Sequence, residues 1–194
     1  MKRLLAVILA AGLWLGTAHA ATDPQAQIEQ VVNNILGILQ NKQLNPMEKK
    51  QRISGSVQNL LDVESMSQRT LGPYWDEASS EQRQHFSKLF VAVLEGTYLN
   101  RIDDYSSGKV QFLQQRIKDD KAIVDTLIKS KDIEVPVQYR MVYQNDRWQI
   151  FDMVIDGVSL IKNYSSSYRE IIRREGFAGL FALMENKVAE MNAS

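Results

Sequence analysis

The hydrophobic period of the chain changes near Tyr105, and this change constrains the fold more than any other feature. Before Tyr105 apolar residues recur with the 3.6-residue period of helices, and after it they alternate with polar residues, as in strands. The alternating segments are Lys109–Ile117, Ala122–Lys129, Ile133–Tyr143 and Arg147–Ile155. Short polar turns at 118–120, 130–132 and 144–146 separate them, which makes neighbouring strands antiparallel. The sequence therefore predicts helices followed by a four-strand meander.

Three amphipathic helices are predicted before the sheet. The first has one apolar face over Ile28–Leu39. Asn45 and Glu48 form a capping box for the second helix, and Ser79 and Gln82 form one for the third. The apolar positions of the second helix are Ile53, Val57, Leu60 and Leu61. Those of the third are Phe86, Leu89, Phe90, Val93, Leu94 and Tyr98.

Two more helices are predicted after the sheet, and they meet at Gly176, a residue typical of helix C-termini. Their apolar stripes consist of Tyr168, Ile171 and Ile172, and then Phe177, Leu180, Phe181, Met184 and Val188. The order of elements predicts an α+β domain over residues 21–194, with several helices on one face of a curved antiparallel four-strand meander.

The N-terminus has the pattern of a secretory signal peptide. Lys2 and Arg3 precede the apolar run Leu4–Leu15, and Ala18-His19-Ala20 is a small-x-small cleavage site. We expect cleavage after Ala20 and a periplasmic location. Cysteine is absent from the sequence, so the mature chain must fold without disulfides.

The charge balance excludes one class of partner. The sequence has 23 basic and 23 acidic residues, and removal of the signal peptide takes away Lys2 and Arg3 (23 − 2 = 21 basic residues). A chain this close to neutral lacks the basic excess of nucleic-acid-binding proteins, and we expect no nucleic-acid partner.

Catalytic and metal-binding patterns are not found in the sequence. His85 is the single histidine after residue 20, which leaves no zinc-ligand cluster and at most one base for a serine nucleophile. Glycine-rich phosphate-binding motifs do not occur either. We therefore expect no catalytic residue, no metal site and no cofactor.

Asp152 and Asp156 lie in one of the most apolar segments of the chain. On a strand they would be roughly 13 Å apart, at about 3.3 Å per residue. Glycosidase carboxylate pairs are about 5–9.5 Å apart. Asp156-Gly157 is typical of a turn, and Ser159 of a helix cap. Structural roles are expected for both aspartates, with polar contact to a ligand head group as the alternative.

Large apolar residues are more numerous than usual on the predicted faces. Val135, Val137, Tyr139 and Met141 share one face of the third strand, and Phe151, Met153 and Ile155 share a face of the fourth. Such residues form either a filled core or the wall of a cavity, and the pattern leaves both interpretations open.

Three segments resemble the MlaC (toluene-tolerance) family of periplasmic phospholipid-binding proteins. Leu61–Tyr98 contains the family-like LGPYW at Leu71–Trp75, and Trp148–Ile161 (WQIFDMVIDGVSLI) is similar to the most recognisable stretch of the family. The pair Ile171-Ile172, followed by Arg173, Gly176, Gly179 and Leu180, resembles the C-terminal helices. The segment Lys109–Lys131 is the least family-like.

The resemblance implies a soluble periplasmic carrier that shuttles glycerophospholipids. Its partners would be an outer-membrane lipoprotein–porin complex and an inner-membrane ABC transporter that carries a lipid-binding ring. The acyl tails would occupy an apolar cavity between sheet and helices, with the head group at its mouth. The expected lipid-binding residues are Phe86, Leu89, Phe90, Val93, Leu94, Val135, Val137, Tyr139, Met141, Phe151, Met153, Ile155, Phe177 and Phe181.

Other interpretations remain open at this point. The chain could carry other hydrophobic small molecules, as the words toluene tolerance suggest. An exported enzyme would need several polar side chains grouped in the cavity. A purely structural interaction module would have a filled core and no cavity.

Overall fold

The computed structural model describes residues 23–99, 108–130 and 133–193. The predicted signal peptide and the predicted turn residues Lys131 and Asp132 lie outside these ranges. Within them, no helix combines the length and the hydropathy needed to cross a membrane.

The first two helices of the described residues, α1 (Pro24–Gln40) and α2 (Pro46–Gln58), form a helical hairpin. The predicted capping box at Asn45 is confirmed, because its side chain accepts the Glu48 N–H and Glu48 accepts the Asn45 N–H. The predicted extent of the second helix is wrong, since it ends before Leu60 and Leu61. Leu61 instead forms a parallel bridge with Ile150 of the sheet.

Three helices follow: α3 (Val63–Leu71), α4 (Tyr74–Glu77) and α5 (Ser80–Tyr98). The sequence patterns predicted only α5, with its confirmed capping box between Ser79 and Gln82. Gly72 ends α3 at a φ of 57°, and a Cβ there would collide with the guanidinium of Arg169. That guanidinium donates to the last carbonyls of α3, so the glycine makes room for the cap.

The sheet contains β1 (Lys109–Lys118), β2 (Lys121–Ser130), β3 (Ile133–Gln144), β4 (Arg147–Ile155) and β5 (Val158–Ser159). The order β1-β2-β3-β4-β5 is an antiparallel meander, one short strand longer than predicted. The predicted turn at Asp156-Gly157 is confirmed, with φ values of 49° and 78°, and it leads into β5.

A β-bulge in β4 changes which side chains share a face. Met141 pairs with Ile150, whereas Arg140 pairs with Asp152, so Phe151 is the extra residue between them. Beyond the bulge, Met153 pairs with Tyr139 and Ile155 with Val137. The prediction that put Phe151 on the face of Met153 and Ile155 is therefore wrong, because strict alternation fails at the bulge.

The chain closes with α6 (Leu160–Ala193), which Gly176 interrupts at a φ of 68° and a ψ of −173°. The predicted helix boundary at Gly176 is thus confirmed. The first half of α6 packs Tyr164 and Tyr168 against Phe86 and Phe90 of α5 in an aromatic cluster. The buried core joins these helices to the inner face of the sheet, so the predicted α+β architecture is confirmed.

Candidate functional site

An apolar cavity lies between the sheet and the helices α1, α2 and α5. Its volume is about 280 Å³. The helices contribute Ile28, Val31, Val32, Ile35, Val57, Met66, Val91, Leu94, Glu95, Tyr98 and Leu160 to its wall. The sheet contributes Ile128, Val135, Val137, Tyr139, Ile150, Met153 and Ile155, and the connecting segments add Leu60, Leu61 and Leu99. A concave, mostly apolar space of this kind is the usual form of a small-molecule site.

Part of the predicted lipid-binding set lines this cavity. The residues that do so are Leu94, Val135, Val137, Tyr139, Met153 and Ile155. Those of β3 alternate along the strand, as the two-residue period predicts, and Met153 and Ile155 come directly after the bulge. Most of the cavity wall that the sheet forms was therefore predictable from the sequence.

The rest of the predicted set does not line the cavity. Phe86, Leu89, Phe90, Val93 and Met141 are buried in the hydrophobic core. The apolar stripe of α5 is wide enough to meet two neighbours, and its greater part faces α6. Only the edge that bears Val91 and Leu94 reaches the cavity.

The three remaining predicted rings lie elsewhere on the molecule. Phe177 packs on Phe181, with centroids 6.0 Å apart, and Phe181 meets the edge of His85 at 4.8 Å. The Phe151 ring lies 4.6 Å from the Arg69 guanidinium carbon. All three rings are half-buried and stabilise helix contacts outside the cavity wall.

Sequence reasoning missed the contribution of the N-terminal helices. Ile28, Val31, Val32 and Ile35 form one wall of the cavity. Their i, i+3, i+4, i+7 spacing was visible as an apolar face. Spacing alone carries no information about whether such a face meets other side chains or an open space, so the signal predicted a helix and not a site.

The polar groups at the cavity wall are few. Glu95 accepts hydrogen bonds from Ser54 Oγ at 2.5 Å and from Gln58 Nε2 at 2.7 Å, both on α2. Burial raises the pKa values of Tyr98 and Tyr139, so both phenols stay protonated and uncharged. The wall is therefore apolar apart from two neutral hydroxyls and one carboxylate that is already hydrogen-bonded.

Asp152 and Asp156 are not part of the cavity wall. Asp152 is buried, with Oδ2 bound by Arg140 Nη1 at 3.0 Å and Ser159 Oγ at 2.8 Å, and Oδ1 by the Ile161 N–H at 3.2 Å. Asp156 is an exposed turn residue. These contacts confirm a structural role for Asp152, and the φ of 49° confirms the predicted turn at Asp156.

His85, the other residue considered for catalysis, also contacts a neighbouring side chain. Its Nε2 lies 2.9 Å from Glu185 on the exposed side of α5 and α6. Over the described ranges, no three histidine, cysteine, aspartate or glutamate side chains lie close enough together to hold a metal ion.

Comparison with known proteins agrees with the fold and the sequence motifs. The family model described as MlaC protein matches residues 29–186. A curated relative from Haemophilus influenzae, the intermembrane phospholipid transport system binding protein MlaC, is 24% identical over 197 residues, which cover 96% of this chain and 92% of the relative. The toluene tolerance protein ttg2D of Pseudomonas putida is 24% identical over 183 residues, with coverages of 91% and 84%.

A solved structure has the same fold. It is a phospholipid-binding protein from Ralstonia solanacearum in complex with a phospholipid. The TM-score is 0.80 at 22% sequence identity, and the match covers 88% of this chain and 99% of the other.

Proposed function

This chain belongs to the MlaC family, and we propose that it is a periplasmic carrier of glycerophospholipids. In this proposal residues 21–194 form one lipid-binding domain behind a cleaved signal peptide. The carrier exchanges lipid with an outer-membrane lipoprotein–porin complex and with an inner-membrane ABC transporter that carries a lipid-binding ring. Carriage neither makes nor breaks a covalent bond, so the proposal assigns no catalytic residue and no cofactor besides the lipid cargo.

The observation that supports this proposal is the apolar cavity between sheet and helices. A diacyl lipid has roughly thirty tail methylenes, each about 0.8 kcal/mol less stable in water than in an apolar environment, or about 24 kcal/mol in total. A carrier must therefore cover almost all of the tails. Leu94, Val135, Val137, Met153 and Ile155 offer such a surface, and Met153 adapts to tails of different shape.

The cavity volume limits what this conformation can hold. A cavity of about 150 Å³ accommodates one benzene ring. On that scale the 280 Å³ cavity takes about eleven carbon atoms, roughly a third of two acyl tails. Complete enclosure of both tails of a diacyl lipid therefore requires one wall of the cavity to move outward.

The same volume favours a second candidate function. A space for about eleven carbons fits one or two solvent-sized molecules without any movement of the wall. One relative is named for toluene tolerance. In this alternative the chain carries small apolar compounds, and the wall stays as it is.

Native mass spectrometry of the mature protein, purified from the periplasm and followed by lipid extraction, distinguishes the two candidates. The phospholipid carrier is expected to retain a stoichiometric mass that matches a diacyl glycerophospholipid. A protein that stays empty, and that takes up small apolar compounds but no phospholipid from vesicles, would favour the alternative. An empty protein that binds neither would contradict both, and the apolar wall would then belong to an ordinary core.

A further inference from the structure

The α1–α2 hairpin is the wall of the cavity that is least embedded in the protein. Only Pro24, Ile28 and Leu39 of α1 and Ile53 of α2 are buried. By contrast, α5 alone has five buried residues, all between Phe86 and Leu94. Met47, near the hairpin tip, is 79% exposed. Elements with few buried apolar contacts open at the lowest free-energy cost, so this wall is the one most easily displaced.

The two ends of the hairpin are attached to the sheet at neighbouring positions. At the start of α1, the Gln27 side chain donates to the Trp148 carbonyl at 2.6 Å and accepts the Trp148 N–H at 3.2 Å. After α2, the Ile150 N–H donates to the Leu60 carbonyl and the Asp62 N–H to the Ile150 carbonyl, both at 2.8 Å. The start of α1 is also bound to β1, because Gln115 accepts the Gln25 N–H at 3.2 Å and donates to Asp23 at 2.7 Å. These attachments lie at the start of α1 and just after α2, so the opposite end of the hairpin can swing as on a hinge.

Hydrogen bonds between the two helices keep the hairpin together as a unit. Asn34 Nδ2 of α1 donates to Ser56 Oγ of α2 at 2.8 Å. Lys49 Nζ of α2 donates to the Leu39 carbonyl of α1 at 2.6 Å. A displacement of α2 from α5 would therefore carry α1 with it, and the cavity wall formed by α1 would move as well.

Glu95 connects the last turn of α2, near the hinge end of the hairpin, to α5 and so to the body of the protein. Its Oε1 accepts from Ser54 Oγ and Gln58 Nε2, which lie one turn apart on α2, and the residue lines the cavity. Hydrogen bonds to an ionised acceptor are stronger than neutral ones. The Glu95 carboxylate thus stabilises the position in which the hairpin covers the cavity.

We propose that the α1–α2 hairpin is a flap that swings on its attachments at Trp148 and Ile150, and that Glu95 is the positioning residue that holds it closed. This inference rests on the proposed carriage of phospholipid, because two acyl tails exceed the closed cavity. Outward movement of the flap enlarges the cavity on the side formed by Ile28, Val31 and Ile35.

Exchange kinetics of a lipid test the inference. Vesicles of phosphatidylethanolamine and phosphatidylglycerol with a trace of fluorescent phosphatidylethanolamine serve as donor and acceptor. Glu95→Ala is expected to raise the rate of uptake by about ten-fold, equivalent to about 1.4 kcal/mol. Because two acyl tails exceed the closed cavity, the latch stabilises the unloaded state more than the loaded state, so the Kd is expected to tighten by a similar factor.

Two further variants separate a latch from a general loss of structure. Glu95→Gln keeps an acceptor oxygen and is expected to raise the uptake rate less than Glu95→Ala does. Glu185→Ala removes a comparable contact between α5 and α6, to His85 at 2.9 Å, and is expected to leave the uptake rate unchanged. An unchanged uptake rate, or a weaker Kd, for Glu95→Ala would overturn the latch.

Crosslinking gives the opposite perturbation. The chain has no cysteine, so Ser54→Cys combined with Glu95→Cys introduces a single thiol pair that a short bifunctional reagent can join. Crosslinking before loading is expected to block uptake, and prior loading with lipid is expected to slow the crosslinking reaction. The control pair His85→Cys with Glu185→Cys joins α5 to α6 and is expected to exchange lipid normally. Normal exchange by the Ser54–Glu95 crosslinked protein would overturn the flap.

A lipid-free measurement keeps this inference separate from the proposed function. Amide hydrogen exchange of the unloaded protein is expected to quicken in α1 and α2 on Glu95→Ala and to stay unchanged in β2 and β3. Failure of the wild type to take up phospholipid would refute the proposed function, whereas exchange in α1 and α2 would still report on the latch. Unchanged exchange in α1 and α2 would refute the latch even if phospholipid is carried.

Discussion

Replacement of Asp152 by alanine is expected to destabilise the protein without impairing lipid binding. The carboxylate is 4% exposed and joins β3, β4 and the start of α6 through Arg140, Ser159 and Ile161. Ser159 Oγ in turn accepts the Lys162 N–H in the first turn of α6. Asp152 therefore anchors a helix N-terminus, where a negative charge is favourable.

The three contacts set the magnitude of the loss. A buried donor deprived of a charged acceptor costs about 1–3 kcal/mol, which applies to the Ser159 hydroxyl and the Ile161 N–H. The Arg140 side chain is 36% exposed, so water replaces part of its ion pair and this contact adds less than about 1 kcal/mol. The expected loss in free energy of unfolding is about 3 kcal/mol, since the Ser159 hydroxyl can rotate to another acceptor.

Urea denaturation followed by circular dichroism measures this loss. With a denaturant slope of about 2 kcal/mol/M, the midpoint falls by roughly 1.5 M. Native mass spectrometry of the folded variant is expected to find the same lipid occupancy as in the wild type. The matched control is Asp156→Asn, which changes the other carboxylate at a positive-φ turn that asparagine tolerates and is expected to stay within about 0.5 kcal/mol. A loss below about 1 kcal/mol, or a stable Asp152 variant without lipid, would refute the structural role.

Three other predictions concern the cavity wall, the start of α1 and the cap of α3. Val137→Trp overpacks the cavity by about 1–3 kcal/mol and should weaken phospholipid binding by about 5- to 150-fold in a vesicle titration. Leu113→Trp, on the exposed part of β1, should leave the Kd unchanged. The pKa of Asp23 is lowered below 3.8, first by the hydrogen bond from Gln115 and then by the one from the Ala26 N–H. The ionised carboxylate therefore stabilises the folded protein above about pH 3.8, and this contribution disappears as the pH falls through the lowered pKa. In thermal denaturation, Asp23→Ala should be less stable than the wild type by under about 1 kcal/mol near neutral pH, and the difference should shrink as the pH falls below about 3.8. A difference that does not change with pH would contradict the assignment. Gly72→Ala should lose about 1–3 kcal/mol in urea unfolding because of its positive φ and the collision with the α3 cap, and a loss below about 0.5 kcal/mol would show that the cap shifts freely.

Features with local causes were predictable from the sequence. The capping boxes at Asn45 and Ser79 depend on residues three positions apart, and both are confirmed. The predicted strands agree with the structure to within one residue at each end, because short turns and the two-residue period define them. Asp62, whose side chain accepts the Ser65 N–H at 3.1 Å, was a usable signal for the start of α3 that the apolar pattern of this short helix did not reveal.

The division of α5 between cavity and core was not predictable from the sequence. Phe90 and Leu94 are four residues apart on the same apolar stripe, yet Phe90 contacts Tyr164 and Tyr168 of α6 while Leu94 lines the cavity. The stripe indicates that the residues are buried, but its neighbours along the chain do not indicate which element covers each part of it.

The bulge at Phe151 was likewise not predictable from the sequence. A strand that alternates strictly would place Phe151 on the same face as Met153, and nothing in the local sequence indicates an extra residue at this position. The shifted register aligns Asp152 with Arg140, and the Asp152 carboxylate also binds Ser159 and Ile161. These partners come from β3, β5 and α6, so the register depends on contacts between elements.

The sequence by itself determined the longer helices, the four long strands, their order and the family, but not α3, α4 or β5. Caps, periods and motifs are properties of neighbouring residues, which is why they could be predicted. Only the tertiary structure decided that the apolar faces leave a cavity between them and that α1 and α2 form one of its walls. The physical reason is that burial depends on what each face meets in space. Ile28, Val31, Val32 and Ile35 would form the same stripe on a helix packed against a filled core.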